Sequence, residues 1–547
     1  PICDMYGDNP VACNDYESLY PSIAKAWNLS PNSKVWTKLY DIHGNIKRIN
    51  DIQVTDANKD ILEINAKRYE NIPGYSYIIT EFDHFETKQK CNTTTGKLGR
   101  KEKIKRDKKI CCWAQFPNGK EGIIPSIIGD LLTARKDTRL AAKTESDPFM
   151  ANVLDKRQLG YKVTANSLYG QMGSSVSTFF EKDVVASITS IGRTMITYAK
   201  HMIEEIYGNY VYVYTSNEGE RVSVKTNAQC VYGDTDSVFF TFNLTEVDTG
   251  DAIRGKRALE LTIKIAQEAA DMCSLFLPPP MKLAYEKTLM SFILLSKKRY
   301  VGILYETDPN KGKLKFMGLP LKRRDSCDYV KDVYGGILTI LMKKSNNMNE
   351  AIELLNTMLK RLVNGELLMD KLAITKSLRS DYKNPQQISH KVLANRMGER
   401  DPGNKPKPGD RIKFAFIINS DKKNTLLGER IETLDYITKN KLQIDYTYYI
   451  TNQLMHPLQQ LLGLALEKIY EYKNLRKVDI VAHHTYIDTL YQSCMPHTGD
   501  VDLELFMKKK EKYCSSQVKL LLFDPFLTDL YNRQNGIQTL FHFYKKR

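Results

Sequence analysis

The chain has 547 residues, 42% hydrophobic and 26% charged, which is the balance of a globular protein with several domains and excludes a disordered or fibrous chain. With 80 Lys and Arg against 64 Asp and Glu, the net charge is +16 and the pI near 9.1, which favours a polyanionic partner, nucleic acid before membrane. No apolar run approaches the roughly 18 residues that span a bilayer, and 10 cysteines without a CxxC pair fit a reduced, intracellular chain better than a disulfide framework or zinc knuckle.

The chain opens on Pro1 rather than Met, as a fragment or processed product does, so an upstream targeting signal or domain would be out of view. Residues 10–24 read as a buried strand, a turn and a helix, with Pro21 in the helix's first turn, where a missing N–H costs little. Residues 35–90 look strand-rich, with alternation in "YSYIITEF" (75–82). "KLGRKEKIKRDKK" (97–109) reads as a basic, solvated loop, with a DNA-facing loop as the alternative. Two long helices follow, 125–146 and 147–170, the second opened by Asp147 and Pro148 as N-cap and first residue. Their short link makes them an antiparallel hairpin. Another amphipathic helix covers 183–207, a β-hairpin 229–242, and a helix 254–276 runs up to "PPP" at 278–280. Residues 291–306 read as a strand pair. From about 330 the pattern is mainly helical, broken by a Pro-, Gly- and charge-rich loop at 398–413. The whole is α+β followed by a mainly helical lobe.

Three carboxylates stand out. Asp15 ends the first strand, and Asp234 and Asp236 flank Thr235 at the hairpin tip of "VYGDTDSVFF". Singly, each reads as a turn aspartate. Together, strand-end carboxylates can hold two divalent ions roughly 4 Å apart, lowering the pKa of an attacking hydroxyl and stabilising a leaving oxygen. Cations form a second pattern. Arg135 and Arg139 are four apart on the first long helix, and Lys162, Asn166 and Tyr169 share a face of the second. Neither face carries matching acids, so they offer a triphosphate several donors on a rigid scaffold. A solvated helix face is the plain alternative.

These segments resemble the polymerase region of the family B DNA polymerases. "DYESLYPSI" (15–23) resembles that family's motif A, "KVTANSLYG" (162–170) its motif B and "YGDTDS" (232–237) its motif C. "EGIIPSIIGDLLTARKDTR" (121–139) resembles the fingers helix, "SKKRYVG" (296–302) the primer grip, "GLPLKRRDSC" (318–327) the palm-to-thumb junction and "IDYTYYI" (444–450) a thumb segment. The segments fall in the family's order, and "EKTLMSFILLSKKRYVG" is similar in wording to enzymes of large eukaryotic DNA viruses.

The resemblance implies a right-hand fold: a β-sheet palm at 1–120 and 173–320, a helical-hairpin fingers at 121–172, and a mainly helical thumb and tail at 321–547. It implies template-directed addition of dNTPs to a primer 3′-OH in DNA replication. Asp15 and Asp236 match the metal-bridging carboxylates, Asp234 a third, and the Tyr16 carbonyl a backbone ligand, for two Mg²⁺ with Mn²⁺ as an alternative. The N–H groups of Ser18, Leu19 and Tyr20 match β- and γ-phosphate contacts, and Tyr20 also the gate against a ribose 2′-OH. Arg135, Arg139, Lys162 and Asn166 match triphosphate ligands, with Arg139 where a lysine is common and Lys162 a candidate proton donor to pyrophosphate. Tyr169 would lie under the nascent pair. Tyr232, Lys297, Lys298, Arg299 and Tyr300 match contacts to primer–template DNA.

No second acidic set for a 3′→5′ exonuclease is found, so the chain is expected to extend without proofreading. Near the C-terminus Gln534, Ile537, Leu540 and Phe541 have the spacing of a sliding-clamp peptide, although a terminal helix docked on its own domain fits equally. A monomer working at a viral replication site or in a host nucleus, off the membrane, completes the expectation. Reverse transcriptases and RNA polymerases are the rival reading, but they usually carry adjacent hairpin aspartates and lack the "SLYPS" and "KKRY" elements. A degenerate, non-enzymatic polymerase would have lost a metal ligand.

Overall fold

The computed structural model describes residues 1–91, 98–215, 220–343, 347–418, 426–495 and 502–537. The chain divides into two compact units, Val11–Thr288 and Pro1–Pro10 with Leu289–Arg547. In chain order the first unit runs β1 (Val11–Tyr16), α1 (Leu19–Ala26), β2 (Lys34–Tyr40), β3 (Ile46–Ile49), β4 (Ile52–Gln53), α2 (Lys59–Lys67), β5 (Ser76–Cys91), β6 (Leu98–Gln115), α3 (Ile123–Thr144), α4 (Pro148–Met172) and α5 (Lys182–Tyr207). It continues through β7 (Tyr210–Thr215), β8 (Arg221–Thr226), β9 (Gln229–Asp234), β10 (Ser237–Thr241), β11 (Thr245–Glu246) and α6 (Gly255–Ser274) into β12 (Leu283–Ser296), whose later residues belong to the second unit.

β1 is buried at every position but Asp15, as a strand covered on both faces must be, and it pairs antiparallel with β10, which pairs with β9. Asn14 fixes β1 to α6 by donating from Nδ2 to the Ala266 carbonyl at 3.1 Å. A five-stranded sheet in the order β4-β3-β2-β6-β5 stands apart, and Trp113 anchors it, fully buried with Nε1 donating to Thr80 Oγ1 at 2.8 Å. The expected N-cap of α4 is present: the Asp147 carboxylate accepts from the Phe149 N–H at 3.0 Å and Pro148 is the first helical residue.

Two readings of this unit change. Residues 98–109 of the basic run are strand, because β6 pairs with β5 from Ser76↔Gln115 out to Cys91↔Leu98, which gives the backbone a ladder that a loop lacks; residue 97 lies outside the described residues. Within 35–90, α2 is a helix that the strand-rich pattern hid.

The second unit contains β13 (Arg299–Tyr305) and β14 (Lys313–Met317), antiparallel, then α7 (Asp328–Lys343) and α8 (Met348–Val363). A small antiparallel sheet of β15 (Ile374–Ser377), β16 (Arg411–Phe416) and β17 (Ile431–Glu432) interrupts the helical pattern. Its Phe414 and Phe416 share one core with Tyr329, Tyr334, Ile352, Tyr449, Leu462 and Phe523. The expected loop at 398–413 is partly structured: a helix reaches Arg400, whose guanidinium bonds Glu432 at 3.0 and 2.8 Å, and β16 begins at Arg411. Among the described residues no helix is long and apolar enough to cross a membrane.

Candidate active site

Asp15 and Asp234 meet across one residue of β10. Asp15 pairs with Ser237 from β1, and Asp234 pairs with the same Ser237 from β9. The hairpin turn is Thr235–Asp236. The Asp236 N–H donates to the Asp234 carbonyl at 2.7 Å, and the Tyr16 N–H donates to the Asp236 carbonyl at 2.9 Å, which stitches the turn to the end of β1. Thr235 sits at φ 60°, a left-handed conformation that costs a β-branched residue on the order of 1–3 kcal/mol. Such strain persists where the surroundings impose it, and here it bends the hairpin beneath a cleft of about 460 Å³.

The cleft is lined by Asp15, Tyr16, Ser18, Leu19, Tyr20, Arg135, Arg139, Lys162, Asn166 and Asp236, all in the first unit. Its acids crowd one another. Burial pushes the Asp15 carboxyl up to about 7, with Asp236 and Glu286 adding to the rise and Lys287 and Lys162 opposing it. Asp236 is also raised, first by burial, with Asp234 and Glu286 contributing. Asp15 Oδ1 is buried without a hydrogen-bond partner. An ionised carboxylate with an unsatisfied oxygen beside like charges is held at a cost unless a cation joins it. Among the described residues no three His, Cys, Asp or Glu side chains converge closely enough to hold a metal ion by themselves. A cation at Asp15 and Asp236 would therefore need further oxygens, as Mg²⁺ obtains when carboxylates share it with substrate phosphates. The donor set fits such an ion.

The cationic wall comes from the helical hairpin. Arg135 on α3 is half-buried and donates from Nε to Gln158 Oε1 and from an Nη to Ser18 Oγ, both at 3.4 Å. Its pKa is lowered by burial and by Arg139, with Glu17 opposing. Lys162 and Asn166 on α4 are exposed into the cleft. Ser18 precedes α1 in a left-handed conformation (φ 50°, ψ 54°), and the first-turn N–H groups of that helix have no intrahelical acceptor. The Tyr20 and Tyr169 rings pack in a tilted arrangement, with centroids 4.5 Å apart and 31° between planes.

Glu286 is the residue that sequence reasoning missed. It lines the cleft, bonds Lys287 Nζ at 2.8 Å and accepts from the Cys13 thiol at 3.5 Å. "AYEKTL" carries no spacing signal for it; only the fold sets it near Asp15. Tyr232, expected at DNA, is 3% exposed with its ring 5.3 Å from Phe239.

The other expected DNA contacts lie in the second unit. Lys297 and Lys298 form the exposed β12–β13 turn, with Lys298 at φ 63°. Arg299 is half-buried and bonds Gln460, and Tyr300 is 7% exposed with its ring against Phe292. The same unit has a cleft of about 640 Å³ lined by Arg323, Arg324, Lys376, Arg379, His390 and Arg411, with Asp325 the one acid among its described lining residues. Burial, Lys376 and Arg379 lower the His390 pKa. In the sequence, Arg323 and Arg324 stand out only within the junction segment "GLPLKRRDSC". Of the clamp-like set, Gln534 closes a helix (Asp524–Gln534) and Ile537 is exposed; Leu540 and Phe541 lie outside the described residues.

Crowded carboxylates thus face helix-borne cations across one cleft of a mixed helix and sheet protein. The family model for DNA polymerase family B matches residues 1–464, and the chain belongs to that family. It is 36% identical to a DNA polymerase of Pyramimonas orientalis virus over 100% of this chain and 43% of the relative. It is 42% identical to one of Acanthamoeba polyphaga mimivirus over 48% of this chain and 15% of the relative. A DNA polymerase delta catalytic subunit of Candida albicans is 31% identical over 83% of this chain and 36% of the relative. The chain thus spans less than half the length of these relatives.

Proposed function

We propose that the chain is the catalytic region of a DNA-directed DNA polymerase that extends a primer 3′-OH with dNTPs, in viral DNA replication inside the host cell. The observation that carries this is the Asp15–Asp236 pair, with its unpartnered buried oxygen, facing Arg135, Lys162 and Asn166 in one cleft. In this reading β1, β9 and β10 belong to the palm, α3 and α4 are the fingers, and the helical second unit holds the thumb.

Asp15 and Asp236, with the Tyr16 carbonyl and Asp234, would hold two Mg²⁺. Bound Mg²⁺ would supply a lowered pKa for the primer hydroxyl and charge neutralisation on the leaving pyrophosphate. The N–H groups of Ser18, Leu19 and Tyr20 bind β- and γ-phosphate oxygens, and Arg135, Arg139, Lys162 and Asn166 hold the triphosphate from the opposite wall. Lys162 gives a proton to the leaving pyrophosphate. The Tyr20 ring, backed by Tyr169, lies where a ribose 2′-OH would clash. Because α3 and α4 carry the cations, their closure on a paired nucleotide would complete the site. Cations of the second unit, Lys297, Lys298 and the basic cleft, bind the primer–template backbone without reading its sequence.

The test is primer extension with Mg²⁺ beside Asp15→Ala, comparing DNA with RNA templates and dNTPs with rNTPs. Template-dependent dNTP addition that Asp15→Ala abolishes is the expected result. Preference for an RNA template, or full activity in the variant, would sink the reading.

A further inference from the structure

Gly192 lies in the middle of α5, on a buried stripe with Val184, Ile188, Ala199 and Ile203. Glycine in a helix interior costs roughly 1 kcal/mol relative to alanine, and its φ here is not one that calls for glycine. The reason for glycine is space. A Cβ at 192 would stand 3.3 Å from Tyr20 Cε1, 3.6 Å from Ile23 Cδ1 and 3.7 Å from Leu19 Cδ2. The contact with Tyr20 is the tight one. Leu19 and Ile23 are 3% and 0% exposed and have nowhere to move, whereas Tyr20 is half-buried and borders the cleft. An added carbon therefore presses the Tyr20 ring away from α5, toward the cleft and Tyr169.

We propose that Gly192 is a specificity-determining position: by leaving out one carbon, α5 sets how far the Tyr20 ring reaches toward the sugar of the incoming nucleotide. The inference rests on the reading of Tyr20 as the sugar gate. Gly192 is a positioning residue, since it acts through Tyr20 alone. Raising the ring crowds a 2′-OH first and a deoxyribose second. Discrimination should tighten and KM for dNTP should rise together.

The experiment measures kcat/KM for a dNTP and its matching rNTP in the 547-residue chain and in Gly192→Ala, Tyr20→Ala and the double variant. Gly160→Ala serves as control, because a Cβ there meets nothing within 4 Å while the helix-propensity gain is the same. Gly192→Ala should raise the dNTP/rNTP ratio on the order of tenfold, the low end for one carbon in a tight pocket. Gly160→Ala should leave the ratio unchanged, and Gly192→Ala should have no effect on it once Tyr20 is alanine. If Tyr20→Ala itself leaves the ratio unchanged, the gate reading fails, and this inference with it. If Tyr20→Ala lowers the ratio but Gly192→Ala shifts it equally in both backgrounds, the gate stands and this inference falls. Should Gly192→Ala be too unstable to assay, melting temperatures carry the test. Recovery in the double variant supports the Tyr20 contact, and no recovery overturns it.

Discussion

Replacing Asp15 with asparagine should stabilise the metal-free protein while destroying its activity. In the folded chain the Asp15 carboxyl is raised from 3.8 to about 7, chiefly by burial and then by Asp236 and Glu286. As pH climbs through this window the unfolded chain gives up the proton first, so the folded state binds more protons and its stability falls. The loss is complete above about 7 and absent below 3.8. At about 1.4 kcal/mol per tenfold, the displacement corresponds to about 4 kcal/mol, which solvent screening of a half-buried group reduces to about 2 kcal/mol. Asp15→Asn removes that penalty. At about 2 °C per kcal/mol for a unit of this size, the variant should melt about 4 °C higher at pH 8 in EDTA. At pH 3.5 the two proteins should melt together.

Mg²⁺ supplies the second arm. An ion bound only by the folded state stabilises it by about 2.7 kcal/mol at a hundred times its Kd. Wild type should gain that stability at pH 8 and Asp15→Asn should not, so the gap closes or reverses. Scanning calorimetry at pH 3.5 and 8, with EDTA or Mg²⁺, reads all four corners. A variant no more stable than wild type at pH 8 in EDTA would refute the penalty that burial and the neighbouring acids place on the Asp15 carboxylate. A gap that Mg²⁺ leaves intact would refute Asp15 as a ligand.

Asp236→Asn should abolish nucleotide incorporation and leave primer–template affinity within about twofold, since phosphate contacts by Lys and Arg dominate that affinity; a large loss of DNA binding in a filter or anisotropy assay would contradict the assignment. Arg135→Ala should raise KM for dNTP and lower kcat/KM by on the order of a hundredfold, the scale of a lost charge-assisted contact of about 3 kcal/mol, with DNA affinity unchanged; equal losses for DNA and dNTP would place Arg135 elsewhere. Arg379→Ala and Arg411→Ala, in the basic cleft of the second unit, should each flatten the slope of log affinity against log salt by about 0.9, the value for one phosphate contact; unchanged slopes would remove that cleft from the DNA path. Asn28→Ala should cost about 3 kcal/mol in denaturant unfolding. Its buried amide donates to the Ala114 carbonyl at 2.9 Å and accepts from Gly122 N–H at 2.6 Å, tying the start of α3 to β6. A cost under 1 kcal/mol would mean that water replaces both bonds.

What the sequence disclosed, and what it withheld, follows from the range of the interactions involved. The cap at Asp147–Pro148 and the turn between Asp234 and Ser237 are local, set by a few neighbouring residues, and the spacing of Arg135 to Arg139 or Lys162 to Asn166 is fixed by the helix itself; all of these were readable. Glu286 was not, because its position near Asp15 depends on strands over 250 residues apart in the chain. The basic run failed for the opposite reason: its composition is that of a solvated loop, and only the partner strand β5 explains why residues 98–109 are extended. Tyr232 and Tyr300 differ again: a motif says that an aromatic is present at a position and is silent on its burial, which is 3% and 7% exposure here. Gly192 lies deepest of all, since a missing side chain has no pattern. It becomes informative only when the atoms that would strike its absent Cβ are known, and the nearest of them belongs to Tyr20.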